Sequence, residues 1–264
     1  MLFEQINILI RIIHEASGYV FLVMSDNHSA NIKCFEEFHR SFGSLNEFSI
    51  PHPILNDVFY CLFFLFDPTH LFKNIKSNWL TEKIKKLKFH DFETKEDMVA
   101  EWKDIVAIYE SEKHLIVKRT KLDYATIYPS NFDKQKVQLT MNVFNEKTIA
   151  VLKEMDKEGT TIFVEQVTRL INILNVKSPV VGKRLNDPDR ETFQGTDDHR
   201  FDFLLKMSQM FEKMDTASTI FPTRVMCLTT QTSNALSLTI QGIVEIIRMF
   251  LGKGLKCHDR RVPK

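Results

Sequence analysis

Two apolar runs, Tyr19 to Met24 and Val58 to Phe66, each give way at once to a polar stretch holding an aspartate, and this limits the fold more than any other feature. Ser25-Asp26-Asn27 follows the first run and Asp67-Pro68-Thr69 the second. Both runs are continuous rather than alternating, so they read as strands buried on both faces. Such strands need helices above and below the sheet. Leu2, Ile6, Leu9, Ile10 and Ile13 share one helical face, which predicts a core-facing helix over 2–16 with Gly18 at its C′ position. A second helix is expected over 30–40, and Pro51-His52-Pro53 marks a loop. Asp67 can cap free N–H groups, and Pro68 suits the first helical position, so a third helix starts there. Residues 1–80 therefore alternate helix, strand, helix, strand, helix, an α/β pattern with a parallel or mixed sheet.

From about Leu80 the pattern becomes mainly helical. Trp102, Ile105, Ile108 and Tyr109 form one candidate face; Val143, Ile149, Val151 and Leu152 mark another helix. Residues 162–174 and 201–214 continue the theme, and 229–251 reads as a long helix ended by Gly252 and Gly254. The 22 phenylalanines can fill cores of good size. A net charge of +1 excludes a strong global attraction to nucleic acid but leaves room for local basic patches. Cys34, Cys61, Cys227 and Cys257 lie far apart with no CxxC pair, which argues against a disulfide framework or a structural zinc site. No run reaches the roughly 20 apolar residues of a membrane span, so no membrane partner is expected.

Asp26 stands at the carboxyl end of a buried strand, where open α/β sheets gather ligands and metals. A carboxylate there can hold Mg²⁺, and equally can serve as a turn or cap residue. Asp67 and His70 allow a metal reading too, although capping accounts for Asp67 more simply. Lys134-Gln135-Lys136-Val137 opens a helical stretch after a loop and can meet phosphate or simply face solvent. The sequence holds no Walker A loop and no GxGxxG.

Several blocks, taken in order, resemble the P-element and THAP-associated DNA transposases. GYVFLVMSDNHSAN (18–31) resembles the second strand-plus-Asp segment of their RNase H-like core, and LFDPTHLFKNIKSNWL (65–80) is similar to the block that follows. KLDYATIYPSNFDKQKVQLTMNVFNEKTIAVL (121–152) resembles part of their GTP-binding insertion. Residues 163–179 and 228–256 resemble later parts of that insertion. The resemblance implies an α/β fragment of an RNase H-like fold over 1–66, a mostly α-helical GTP-binding-type insertion domain over 67–256, and a basic tail over 257–264 outside the family pattern. It implies a catalytic core of three acidic residues using two divalent metals, with Asp26 as the second of them. The first acidic residue would lie before residue 2 and the third, a glutamate, beyond the insertion. One carboxylate cannot position two Mg²⁺ ions.

By the same resemblance, Lys121, Lys136 and Val137 occupy nucleotide-contacting positions. Asn172 falls near the base-reading segment, where the family tends to carry an aspartate. An amide offers guanine one acceptor oxygen, a carboxylate two, so the preference for guanine is expected to be weak. The chain is thus expected to be a transposase-derived remnant without strand-transfer activity, truncated at both ends, that keeps a helical nucleotide-binding module. Transposon DNA would be reached through a full-length partner, homo- or hetero-oligomers are expected, and the family's place is the nucleus. Two other readings stay open. One is an interaction protein working through an exposed sheet edge or its helices. The other is a nucleic-acid binder using Lys73, Lys76, Lys83, Lys85, Lys86 and Lys88.

Overall fold

The computed structural model describes residues 2–55, 60–81, 85–176, 178, 180–220 and 227–252, with the side chains of 215–220 left out. Helix α1 (Leu2–Glu15) leads into strand β1 (Leu22–Ser25), helix α2 (Ser29–Phe42), the short strand β2 (Ser49–Pro51), strand β3 (Cys61–Phe66) and helix α3 (Pro68–Thr81). The three strands form one sheet in the order β1-β3-β2. β1 runs parallel to β3, pairing Leu22 with Phe63 and Ser25 with Phe66, while β2 is antiparallel to β3. The sheet is therefore mixed. β2 falls where only a loop was expected, and residues 58 and 59 of the second apolar run lie outside the described residues.

Alternation along β3 sends its side chains to two separate cores. Phe64 and Phe66 pack with Phe35 and Phe38 of α2. On the other face Phe63 and Leu65 meet Phe48 and Ile246. Ile246 belongs to the last described helix, α11 (Thr230–Gly252), so the end of the chain closes over a strand from its beginning. A Cβ on Gly242 of α11 would come 2.3 Å from Leu65 Cδ2, so only glycine permits this approach. β2 starts only at Ser49, opposite Phe63, and does not reach Phe66, whose N–H donates instead to the Thr239 hydroxyl of α11 at 3.1 Å. A buried main-chain donor is thereby satisfied by a helix rather than a strand.

Beyond α3 comes a feature missed in the sequence, the antiparallel hairpin β4 (Lys86–His90) and β5 (Asp97–Glu101). Leu87 and Phe89 turn inward while Lys86 and Lys88 pair outward with Glu101 and Asp97. Helices then follow: α4 (Trp102–Glu112), α5 (Tyr124–Ile127), α6 (Val137–Met141), α7 (Glu146–Glu154), α8 (Glu158–Leu174), α9 (Val180–Leu185) and α10 (Arg200–Ile220). Trp79 of α3 sits among Trp102, Phe144 and Phe163, with ring centroids 5.2 to 6.5 Å apart. One apolar cluster runs without a break from α1 and α2 through α3 into this helical part.

The first helix and strand depart from expectation. Ile10 is buried, but Leu9 and Ile13 are 55% and 42% exposed, and Ile8 and Ile12 beside them are exposed too. Apolar residues cover well over half of the circumference of α1, so spacing alone did not fix which part of that wide face meets the core. β1 is an edge strand and not buried on both faces, since Tyr19, Phe21 and Met24 stand in solvent. The left-handed residue after α1 is Ser17, with φ 63°, and not Gly18. Gly18 instead donates its N–H to Ile13 O at 2.8 Å, taking the position after C′ in a Schellman arrangement. α11 also departs: by length and composition it could cross a membrane. Here Ala235, Leu236, Ile240 and Val244 are buried, and Ser237 and Thr239 hydrogen-bond into the surrounding fold.

Candidate functional site

Asp26 lies where the sequence placed it, just past the carboxyl end of β1 and beside the start of α3. The two segments are tied by the Asp67 N–H, which donates to Ser25 O at 2.7 Å. Asp67 caps α3, its Oδ1 accepting the Thr69 N–H at 2.8 Å, as Asp-Pro-Thr foretold. His70 Nε2 is 3.8 Å from Asp67 Oδ2. Asp26 Oδ1 accepts from Asn31 Nδ2 at 2.6 Å and from the His28 N–H at 3.2 Å. Around it Asn27 and Gln231 exchange bonds, Gln231 Nε2 donating to Asn27 O at 2.6 Å. The start of α11 is thus fastened to this strand end. Among the described residues no group of three or more His, Cys, Asp or Glu could hold a metal ion. Mg²⁺ needs near-octahedral oxygen ligation, and Asp26 and Asp67, already serving turn and cap, do not supply it by themselves.

A second constellation lies on the opposite flank of α3. Lys73 and Lys76 fall on the inner side of this helix, in register with Phe72, Ile75 and Trp79, and are only 7% and 4% exposed. Lys73 Nζ donates to Gln135 Oε1 at 3.3 Å, in the 3₁₀ turn Asp133–Gln135. Among the described residues no hydrogen bond or ion pair engages the Lys76 ammonium. Burial pulls its pKa down from 10.5 to about 8, against the opposing pull of Asp123 and Asp133. Asp123 caps α5 through its Oδ1 and the Thr126 N–H, at 2.7 Å. Asp133 accepts from Lys136 Nζ at 2.8 Å and from the Ser130 hydroxyl at 2.7 Å, which bring its pKa to about 2.

Lys136 and Val137 thus stand at the same turn that receives Lys73. Lys136 is its exposed end, with the ammonium 5.1 Å over the Phe132 ring, and Val137 begins α6. Lys121 is exposed two residues before Asp123. Asn172 has other partners: its Oδ1 accepts from Arg190 at 2.8 Å, and its Nδ2 donates to Glu146 at 3.2 Å. Its one acceptor oxygen is therefore engaged within the protein. The sequence grouped Lys73 and Lys76 with Lys83, Lys85, Lys86 and Lys88 as a candidate nucleic-acid-binding set, whereas here both are buried. Lys86 and Lys88 are paired on the hairpin, and Lys83 lies outside the described residues.

These elements have a counterpart among solved structures. The Drosophila P element transposase strand transfer complex aligns with 96% of this chain at a TM-score of 0.70 and 16% identity. The chain has a P-element-transposase-like fold. It spans about half the length of the matched chain, covering 53% of it. No family model matches the sequence, and neither does any curated protein. The mixed α/β arrangement, with small sheets and a mainly helical remainder, is common to both.

Proposed function

We propose that this chain is a transposase-related protein, derived from a P-element-type ancestor, whose helical part binds a nucleoside triphosphate, GTP in the first place. The observation that carries this reading is Lys76, a side chain 4% exposed whose ammonium has no hydrogen-bonding partner among the described residues, one turn from Lys73 and within the electrostatic reach of Asp123 and Asp133, beside which Lys121 and Lys136 stand in the sequence. A buried cation strains toward neutrality unless an anion answers it. A polyphosphate would supply that charge, and each charge-assisted hydrogen bond would contribute roughly 1.5–3 kcal/mol. Asp133 would orient Lys136 through their ion pair. Lys73 and Lys76, anchored on α3, would receive phosphate oxygens from the protein side. The ordered turn at 133–135 would limit the entropy lost on binding. With Asn172 Oδ1 held by Arg190, discrimination between guanine and adenine would be weak.

The described residues gather no acidic trio at Asp26, so strand transfer is not assigned to them. DNA would be engaged through a partner. One observation favours a second reading, that of an interaction protein independent of nucleotide: the exposed apolar stripe of α1 beside the open β1 edge.

Calorimetric titration with GTP, ATP and inorganic triphosphate separates the two readings. All three are expected to bind, GTP and ATP within a few-fold of each other, while guanosine does not. The double substitution Lys121→Ala, Lys136→Ala should weaken binding by about tenfold or more. Absence of heat with all three phosphates leaves only the interaction reading.

A further inference from the structure

A band of exposed aromatic rings borders the lysine cluster. Tyr124, Tyr128 and Phe132 are 67%, 46% and 76% exposed. They are spaced four residues apart along the segment that carries Lys121 and Lys136. Their rings are ordered against one another: the Tyr124 centroid is 5.2 Å from that of Tyr128, which lies 6.4 Å from Tyr109. Ammonium groups stand over two rings of the band, Lys118 at 6.0 Å from Tyr109 and Lys136 at 5.1 Å from Phe132. Residues 113–136 hold six Lys or Arg and two Asp, although the whole chain is only +1. Basic residues flank the rings on both sides, Lys118, Arg119 and Lys121 before Tyr124 and Lys134 and Lys136 after Phe132, and Pro129 stiffens the passage between Tyr128 and Phe132.

We propose that this band is a binding surface for single-stranded nucleic acid, with unpaired bases stacking on Tyr124, Tyr128 and Phe132 and phosphates following Lys118, Lys121 and Lys134. The chemistry favours this occupant over a protein. The centre of a protein interface is depleted in lysine, whereas here lysines border the rings and two of them stand over aromatic faces. Aromatic faces joined to a basic track are the means by which unpaired strands are held with little sequence preference. A duplex keeps its bases stacked inside and offers the rings nothing but its backbone. The strand assignment turns on the rings of Tyr124 and Tyr128, which the triphosphate assignment does not use, although both draw on Lys121.

Fluorescence anisotropy with labelled oligothymidylate, and with a duplex of the same length, tests the assignment. The single strand should bind at least about tenfold more tightly than the duplex, with affinity falling steeply as salt rises. Tyr124→Ala and Phe132→Ala should each weaken single-strand binding by about tenfold. Tyr124→Trp should retain binding, since a ring remains to stack upon. The two Tyr124 variants should leave the calorimetric response to triphosphate unchanged, which separates failure here from failure of the nucleotide assignment. Equal binding of both forms of DNA, or alanine variants that bind as the parent does, would overturn it. So would single-strand binding that survives both aromatic substitutions and is lost instead when the exposed Leu115, Ile116 and Val117 are made polar.

Discussion

Lys76→Met should make the protein more stable and, at the same time, unable to bind triphosphate. At neutral pH the folded chain carries an ammonium in a site 4% exposed, where burial holds its pKa near 8. In the unfolded chain the same group titrates near its ordinary 10.5. Below about 8 both states are protonated, and the burial cost is fully felt. Between about 8 and 10.5 the unfolded state binds more protons, so stability rises with pH across that window. A shift of this size corresponds to about 3 kcal/mol or slightly more at neutral pH. Methionine has nearly the length of lysine and fits among Phe72, Ile75 and Trp79 with no charge to desolvate. Thermal melting at pH 7 should therefore show a higher midpoint for the variant, and the rise of stability above pH 8 should disappear. Lys73→Met, which removes a group already bonded to Gln135, should gain less. A variant that is destabilised and still binds triphosphate would show that Lys76 serves packing alone. Gain of stability with loss of binding is the mark of a site held at a cost for function.

The second large effect is expected at the opposite end of the molecule. Among the described residues β1 presents one unpaired edge, and Ile8, Leu9, Ile12 and Ile13 of α1 lie exposed, as do Tyr19 and Phe21 just before the strand and Met24 within it. An open strand beside an apolar helix face is a template for pairing with another chain. In isolation, amides of β1 should exchange hydrogen at least about a hundredfold faster than those of β3, which is central in the sheet and covered on both faces. Sedimentation at rising concentration should reveal self-association, and Leu9→Lys with Phe21→Lys should abolish it while leaving β3 protected. Equal slow exchange in both strands of a monomer would mean that α1 and β1 need no cover.

The sequence made some of this visible and hid the rest for identifiable reasons. Asp67-Pro68-Thr69 announced the start of α3 because capping is local chemistry, legible without tertiary contacts. The helices over 102–112, 158–174 and 230–252 followed from apolar spacing. The hairpin β4–β5 was missed although Lys86-Leu87-Lys88-Phe89-His90 alternates in strand fashion. Its strands are short and lie between long helical patterns, which outweighed a five-residue signal. α1 misled because its apolar face is wide and only the edge of it around Ile10 is buried, while Ile8, Leu9, Ile12 and Ile13 stay exposed. Lys121, Lys136 and Val137 were singled out by local resemblance alone. Lys73 and Lys76 were not, since a lysine in a helix is ordinarily solvated and only the packing of α3 against α6 and the turn at 133–135 encloses them. The engagement of Asn172 by Arg190 joins residues 18 apart through two helical elements, a contact that spacing does not reveal.

Direct titration of the Lys76 amine by ¹⁵N nuclear magnetic resonance reads the buried cation itself. The free protein should give a midpoint near 8, and saturating GTP or inorganic triphosphate should raise it by about one unit or more as phosphate oxygens replace the missing counter-charge. A midpoint that stays where it was in the presence of triphosphate, or one already at 10.5 in the free protein, would contradict the assignment of this site to a polyphosphate ligand.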